Sequence, residues 1–169
     1  MGTNTHVQTW REKKVTINIT TTTAQTSLTT YPVLANKCTR TKLVLPLTLK
    51  PCRLCIVGES LGAEEEFQGN YFVGKAGKLL DKLLKDLGLI RETIHITNVV
   101  KVRPPDNKIN RLGELGLSIS DFIPYLQEEL SVVNPTAILA LGQHALEALT
   151  SEHGITKWRG STLDCTLLS

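Results

Sequence analysis

No stretch of this sequence approaches the roughly 18 consecutive apolar residues that a membrane-spanning helix needs, so no membrane role is expected. The first residues, MGTNTHVQTWREKK, are polar and basic, and no apolar run follows them as one would in a secretory signal. That absence points to an intracellular address. No internal repeat is present, which excludes solenoid architectures. Neither sign of charge dominates: 19 Lys and Arg face 16 Asp and Glu, for a net charge of +3 and a pI near 8.7. Such a balance permits contact with a polyanion without requiring it. At 169 residues, 41% hydrophobic and 21% charged, the chain has the size and composition of about one globular domain.

Cysteine is scarce, with four in all. Cys52 and Cys55 form a C-x-x-C, which in isolation suggests a metal-ligand pair. They lie in PCRLCIVG (51–58), however, which reads as a buried strand entering a glycine turn, and residues an odd number apart in a strand face opposite ways. The two sulfurs should therefore diverge. Cys38 and Cys165 lack partners at metal-like spacing. The four read as free, mostly structural thiols in a reducing compartment, with no metal site.

Residues 1–50 read as a β-rich or irregular extension, in which the threonine-rich 15–30 forms one or two edge strands, an ordered arm or a partly disordered segment. KLVLPLTLK (42–50) reads as an edge strand or connector because of Pro46. Signals sharpen in residues 51–169. Strand 52–57 leads into a glycine-bearing loop over 58–74. A helix over 75–87 carries Ala76, Leu79, Leu80, Leu83, Leu84 and Leu87 on one apolar stripe, with Gly88 as its stop. Strand 95–100 precedes a basic, proline-containing loop (101–111). A helix capped by Ser120 or Asp121 runs to about Val133 and is broken by Asn134-Pro135. Strand 136–142, a helix over 143–150 and a last strand within 161–168 complete the chain. This alternation is the grammar of a parallel sheet covered by helices, which places ligands at the carboxyl ends of its strands.

Those ends read Gly58-Glu59-Ser60, Asn98-Val99-Val100-Lys101 and Gly142-Gln143. Glu59 at the mouth of a buried strand is a costly place for a charge unless it handles a water, caps a helix or pairs with a base. Glu64, Glu65 and Glu66 in a row have the look of a solvated helix face. Phe72, one of only three phenylalanines, is either a stacking platform or an anchor onto the core. Asn98 either satisfies backbone groups or presents its amide to the edge of a ligand such as a nucleobase. Lys101, Arg103, Lys108 and Arg111 make the next loop basic, opposed only by Asp106, which suits a phosphate backbone as well as it suits a solvated loop. GESLG (58–62) also matches the G-x-S-x-G nucleophile elbow, with His144 or His153 as nominal partners. An elbow should run straight into a helix, whereas about a dozen loop residues are expected before the leucine stripe, and His144 reads as structural.

GESLGAEEEFQGNYFVGKAG (58–77) resembles the first motif of the family 4 uracil-DNA glycosylases, close to G-E-x-P-G-x-x-E-(D/E)-x-x-G-x-P-F-V-G-x-A-G, without a gap. ITNVVKVRPP (96–105) is similar to that family's ITNVVKCRPP, and LALGQHA (139–145) with Arg159-Gly160 resembles its third strand and the turn beyond. The resemblance covers about 51–169. It implies a three-layer α/β/α sandwich around a central, mainly parallel four-stranded sheet, in an enzyme that flips uracil out of DNA and hydrolyses its N-glycosidic bond. By position, Glu59 and Glu65 match the acids of the first motif, Glu59 handling the attacking water. Phe72 matches the aromatic that stacks on the base and Asn98 the amide that reads its edge. Ser60 joins them in the substrate site, and Lys101, Arg103, Lys108 and Arg111 become DNA contacts. No cofactor is needed for that chemistry. The expected partner is uracil-containing DNA and the expected address cytoplasmic, nucleoid or nuclear.

Three departures stand out. Leu61 and Tyr71 replace prolines. Val102 replaces the cysteine of K-C-R-P-P, Phe122 stands near another family cysteine, and Cys38-Thr39-Arg40-Thr41 has threonine as the second member of a C-x-x-C, so the family's iron–sulfur cluster is expected to be lost. The family's closing His-Pro motif is not reached by Ser169, which predicts an exposed sheet side and either a covering protein partner or poor solubility. It also leaves a second reading, a catalytically weakened or inactive DNA-binding, replication-associated module of the same fold.

Overall fold

The computed structural model describes residues 28–169, so the strands expected within 15–30 lie almost wholly outside the described residues. Strands β1 (Leu54–Gly58), β2 (His95–Asn98) and β3 (Ala137–Ala140) form a parallel sheet in the order β2-β1-β3. The helices are α1 (Tyr31–Lys37), α2 (Ala63–Gln68), α3 (Lys75–Asp86), α4 (Ile123–Val133), α5 (Gln143–Thr150) and α6 (Ile155–Trp158). Alternation along central β1 sets the layers. Cys55 and Val57 face a core completed by Leu126 and Leu130 of α4 and Ala145 and Leu149 of α5. Ile56 faces the other way, onto Leu80 and Leu84 of α3. Residues 28–50, read as an extension, contribute Leu28, Leu34 and Leu49 to the first core, and 31–37 is helical rather than β-rich or irregular. The 42–50 stretch is a connector without strand pairing.

Three expectations need correction. The expected fourth strand is absent among the described residues: 161–165 is irregular and Thr166–Leu168 is a 3₁₀ turn. Its apolar alternation is satisfied by packing Cys165 and Leu167 against the core that α4 and α5 line, not by pairing with the edge of β3. Neither Ser120 nor Asp121 caps α4: its N-cap is Phe122, without a side-chain cap bond, because Asp121 instead closes a capping box with Ser118 around the preceding 3₁₀ turn at Ile119–Asp121. Cys52 precedes β1, so strand alternation does not reach it, and it packs on the same core as Cys55. All four cysteines are free.

The leucine stripe of α3 divides. Leu80 and Leu84 are buried, whereas Leu79, Leu83 and Leu87 are 60%, 50% and 72% exposed, beside Leu139 of β3 at 46%. One side of the helix thus covers the sheet and the other borders an open apolar groove. Gly88, at φ +67, lets Leu89 N–H return to Leu84 O at 2.8 Å and ends the helix as expected.

Lys101, expected on the surface, is fully buried. Its Nζ lies 2.5 Å from Glu129 Oε2 of α4 and donates to Thr97 Oγ1 of β2 at 2.5 Å. His95 Nε2 meets the other Glu129 oxygen at 2.7 Å, and the Tyr71 and Tyr125 rings flank the ammonium, each centroid 5.7 Å away. Burial raises the Glu129 carboxyl, but Lys101 and His95 outweigh it and hold the group below the usual carboxylate range. Burial lowers the Lys101 ammonium, and Glu129 opposes that shift. Removing one partner strands a buried charge, so Glu129→Gln is expected to destabilise by about 3–5 kcal/mol in urea denaturation. Leu80→Ala should cost about 2–5 kcal/mol, and exposed Leu83→Ala within about 0.5 kcal/mol of nothing.

The acid limb follows from the same carboxylates. Burial also raises Glu128, but hydrogen bonds from Thr30 and Thr29 outweigh it, and Lys37 lowers Asp121. Like Glu129, both bind protons less readily folded than unfolded. Their contribution to stability is therefore complete above the ordinary carboxylate pKa and is lost as pH falls through the depressed folded values. Urea midpoints should drop below about pH 4 for this reason, and the drop should shrink in Glu129→Gln.

Candidate active site

The carboxyl ends of β1 and β2 meet at one point. Register pairs Gly58 with Asn98, and Val99 and Val100 N–H donate to Gly58 and Glu59 O, each at 2.9 Å. A Cβ at Gly58 would lie 2.6 Å from the Phe72 ring and would overlap the Asn98 side-chain oxygen. Glycine is required here for space, because it lets an amide and an aromatic ring converge over a strand end. Asn98 is 2% exposed. Gly58, Glu59, Ser60, Phe72 and Asn98 share a cavity of about 640 Å³ whose far side is the leucine groove of α3.

The loop carrying Phe72 is strongly constrained. α2 begins immediately after Gly62, so the long irregular stretch expected before the leucine stripe is instead partly helical. Glu65, from the acidic run read as solvated, accepts hydrogen bonds from Gly62 N–H at 3.1 Å, Val73 N–H at 3.0 Å and Gly74 N–H at 2.7 Å. Phe72 adopts φ +51, a left-handed conformation that costs a bulky residue about 1–3 kcal/mol. Arg91 Nη2 holds it there, donating to Tyr71 O at 2.8 Å and Phe72 O at 3.2 Å while Nη1 pairs with Asp81 at 2.5 Å. Tyr71, 2% exposed, donates its hydroxyl to Val44 O at 2.7 Å. Gly77 lies so close beneath that a Cβ would overlap the Phe72 carbonyl.

Glu59 Oε2 lies 2.6 Å from His144 Nδ1 on α5, with side-chain exposures of 36% and 27%. His144 therefore faces the carboxylate and not Ser60. Ser60 lacks the left-handed backbone of a strained nucleophile, since the only positive-φ residues other than glycine among those described are Phe72, Asp106, Asn107, Asn134 and Ser151. The hydrolase elbow is set aside on those grounds, although α2 does follow it directly.

The basic loop is less uniform than its sequence. Lys101 is buried and unavailable to phosphate, which corrects its assignment as a DNA contact. Arg103 donates to Asn107 Oδ1 at 2.7 Å and lies 3.4 Å from Glu66, and Arg111 pairs with Asp106 and Glu114. Lys108 is exposed.

The side chains do not fit an iron–sulfur cluster. Cys38, Val102 and Phe122 all lie in one apolar core, where burial, aided by the charge of Asp121, pushes the Cys38 thiol up to about 11. A cluster needs several thiolates, and two of these three side chains are hydrocarbon. Among the described residues no group of three or more His, Cys, Asp and Glu side chains is placed to hold a metal ion.

A model of the uracil DNA glycosylase superfamily matches residues 48–167. The chain belongs to that superfamily. It is 40% identical over 115 residues to a type-4 uracil-DNA glycosylase of Sulfurisphaera tokodaii, covering 64% of this chain and 50% of that protein. It is 38% identical over 127 residues to one of Thermotoga maritima, covering 74% and 64%. A DNA polymerase of Bacillus phage SP01 is 34% identical over 112 residues, covering 66% of this chain and 12% of the polymerase. The chain thus spans between half and two thirds of the length of these two glycosylases.

In this superfamily member Glu59, Ser60 and Asn98 from the strand ends come together with Phe72 from the loop, and Glu65 lies at the same cavity with its carboxylate bonded to three backbone N–H groups. Sequence reasoning missed Arg91 and set His144 aside; the only signal for the latter was its place two residues beyond Gly142 at a strand end. Gly77→Ala is expected to cost about 1–3 kcal/mol and to displace the Phe72 carbonyl, as measured by urea denaturation and by faster proteolysis near residue 72. Gly113→Ala, with nothing within 4 Å of the added carbon, is the control expected to change little.

Proposed function

We propose that this chain removes uracil from DNA by hydrolysing the N-glycosidic bond. The observation that carries the reading is the convergence of Phe72, Asn98 and Glu59 around a glycine that leaves room for them. A glycosylase needs a face to stack on the extruded base, a polar group for its Watson–Crick edge and a carboxylate near the sugar. Phe72 supplies the first, Asn98 the second and Glu59 the third, with Ser60 beside them. The C1′–N1 bond breaks as water oxygen bonds to C1′. The electron pair leaves with uracil, and Glu59 takes the proton of the water. Asn98 offers an N–H to the anionic base, a donor worth about 10²–10³ in rate at comparable sites. Glu65 acts by holding the Phe72 loop. The phosphate backbone meets Lys108, Arg103 and Arg111.

A second reading, a DNA-binding module attached to replication, is favoured by the likeness to the phage polymerase. Uracil release from single-stranded and duplex DNA separates the two. The expected outcome is release that falls by about 10²-fold or more in Glu59→Ala and Asn98→Ala. DNA binding without release by the wild-type chain would favour the module. Lys108→Ala should leave the chemical step intact and lower the salt dependence of DNA binding by about one unit of slope.

A further inference from the structure

We infer that His144 is a positioning residue for Glu59, an inference that rests on the glycosylase reading above. The two side chains are 85 positions apart in sequence, and two neighbouring strand ends bring them together. Gly142, at φ +99, turns the chain sharply out of β3 so that α5 begins beside the end of β1. Ala145, Leu146 and Leu149 anchor the buried side of that helix, which makes it a rigid support for the imidazole.

The other polar side chains of the helix have different work. Gln143 donates to Glu147 at 2.6 Å and accepts Ile155 N–H at 2.7 Å, while His153 meets Glu147 at 2.8 Å. These bonds tie down the segment leading into α6. His144 is directed at Glu59 instead. A pair about one third exposed contributes little to stability, so fold maintenance is a weak reason for it.

Its chemical consequence is specific. With the proton on Nδ1, His144 donates to Glu59 Oε2 and fixes the rotation of the carboxylate. Oε1 has no hydrogen-bond partner among the described residues and is left to accept the proton of the water. A carboxylate that must also find its orientation loses the benefit of a fixed near-attack geometry, which is worth about 10²-fold for displacements near 1 Å.

The test is a double-mutant cycle on single-turnover uracil release, using Glu59→Gln, His144→Ala and the double variant, with His144→Asn as the conservative replacement. His144→Ala should slow release about 10–100-fold with unchanged affinity for uracil-containing DNA. His144→Asn, whose amide N–H sits near the position of Nδ1, should recover much of the loss. The double variant should be no slower than Glu59→Gln. Full-rate release by His144→Ala, or losses that multiply in the double variant, would overturn the inference while leaving the glycosylase reading intact. ¹⁵N NMR of the imidazole supplies an arm independent of turnover: an Nδ1–H tautomer in wild type that reverts to Nε2–H in Glu59→Gln supports the pairing, and an unchanged tautomer overturns it. Absence of release by wild type would instead sink the glycosylase reading, with the tautomer measurement still deciding the pairing.

Discussion

Glu129 does not line the cavity, yet its buried carboxylate ties α4 to both β2 and the loop that follows it. It lies on α4, receives Lys101 from the loop after β2 and His95 from the start of β2, and stands behind the Tyr71 ring that covers Lys101. Removing such charges from water costs several kcal/mol per ion unless their geometry is good. Here each Glu129 oxygen has a cationic or hydrogen-bonding neighbour within 2.7 Å. Strand β2 is therefore pinned at both ends to one helix. Asn98 lies between those pins, and Phe72 follows directly on Tyr71, so both of these cavity-lining side chains inherit their positions from a cluster outside the site.

Local constraints then refine what the cluster positions. Phe72 occupies a conformation that its own backbone disfavours, which persists only because Arg91, Glu65 and the close approach of Gly77 over-determine it. Glu65 ties that loop to itself: three backbone N–H bonds to one carboxylate close the segment from Gly62 to Gly74. The polar lining of the cavity comes from the strand ends (Glu59, Ser60, Asn98) and from Glu65 and Lys75 on the helices beside them. Beyond these the cavity becomes the leucine groove, where half of the α3 stripe remains open.

Much of this was legible in residue patterns. Apolar runs and glycine stops located β1, β2, β3, α3 and α5 within a few residues, because strand and helix periodicities are local properties. That Glu59 and Asn98 would lie together was legible because parallel sheets gather side chains at neighbouring strand ends, whereas the place of Phe72 beside them came from the motif and not from periodicity. Lys101 was misread because a lysine in a run of cations looks solvated until a carboxylate from a distant helix is placed against it. The 161–168 segment was misread because alternation of period two serves a chain packing on helices as readily as one pairing in a sheet.

By itself, the sequence determined the class of fold, the family and the identity of the groups at the strand ends, since each depends on spacing along the chain. Only the tertiary structure decided which charges are buried, which leucines stay exposed and which histidine meets Glu59. Those outcomes depend on contacts between residues tens of positions apart, where desolvation and packing outweigh local preference.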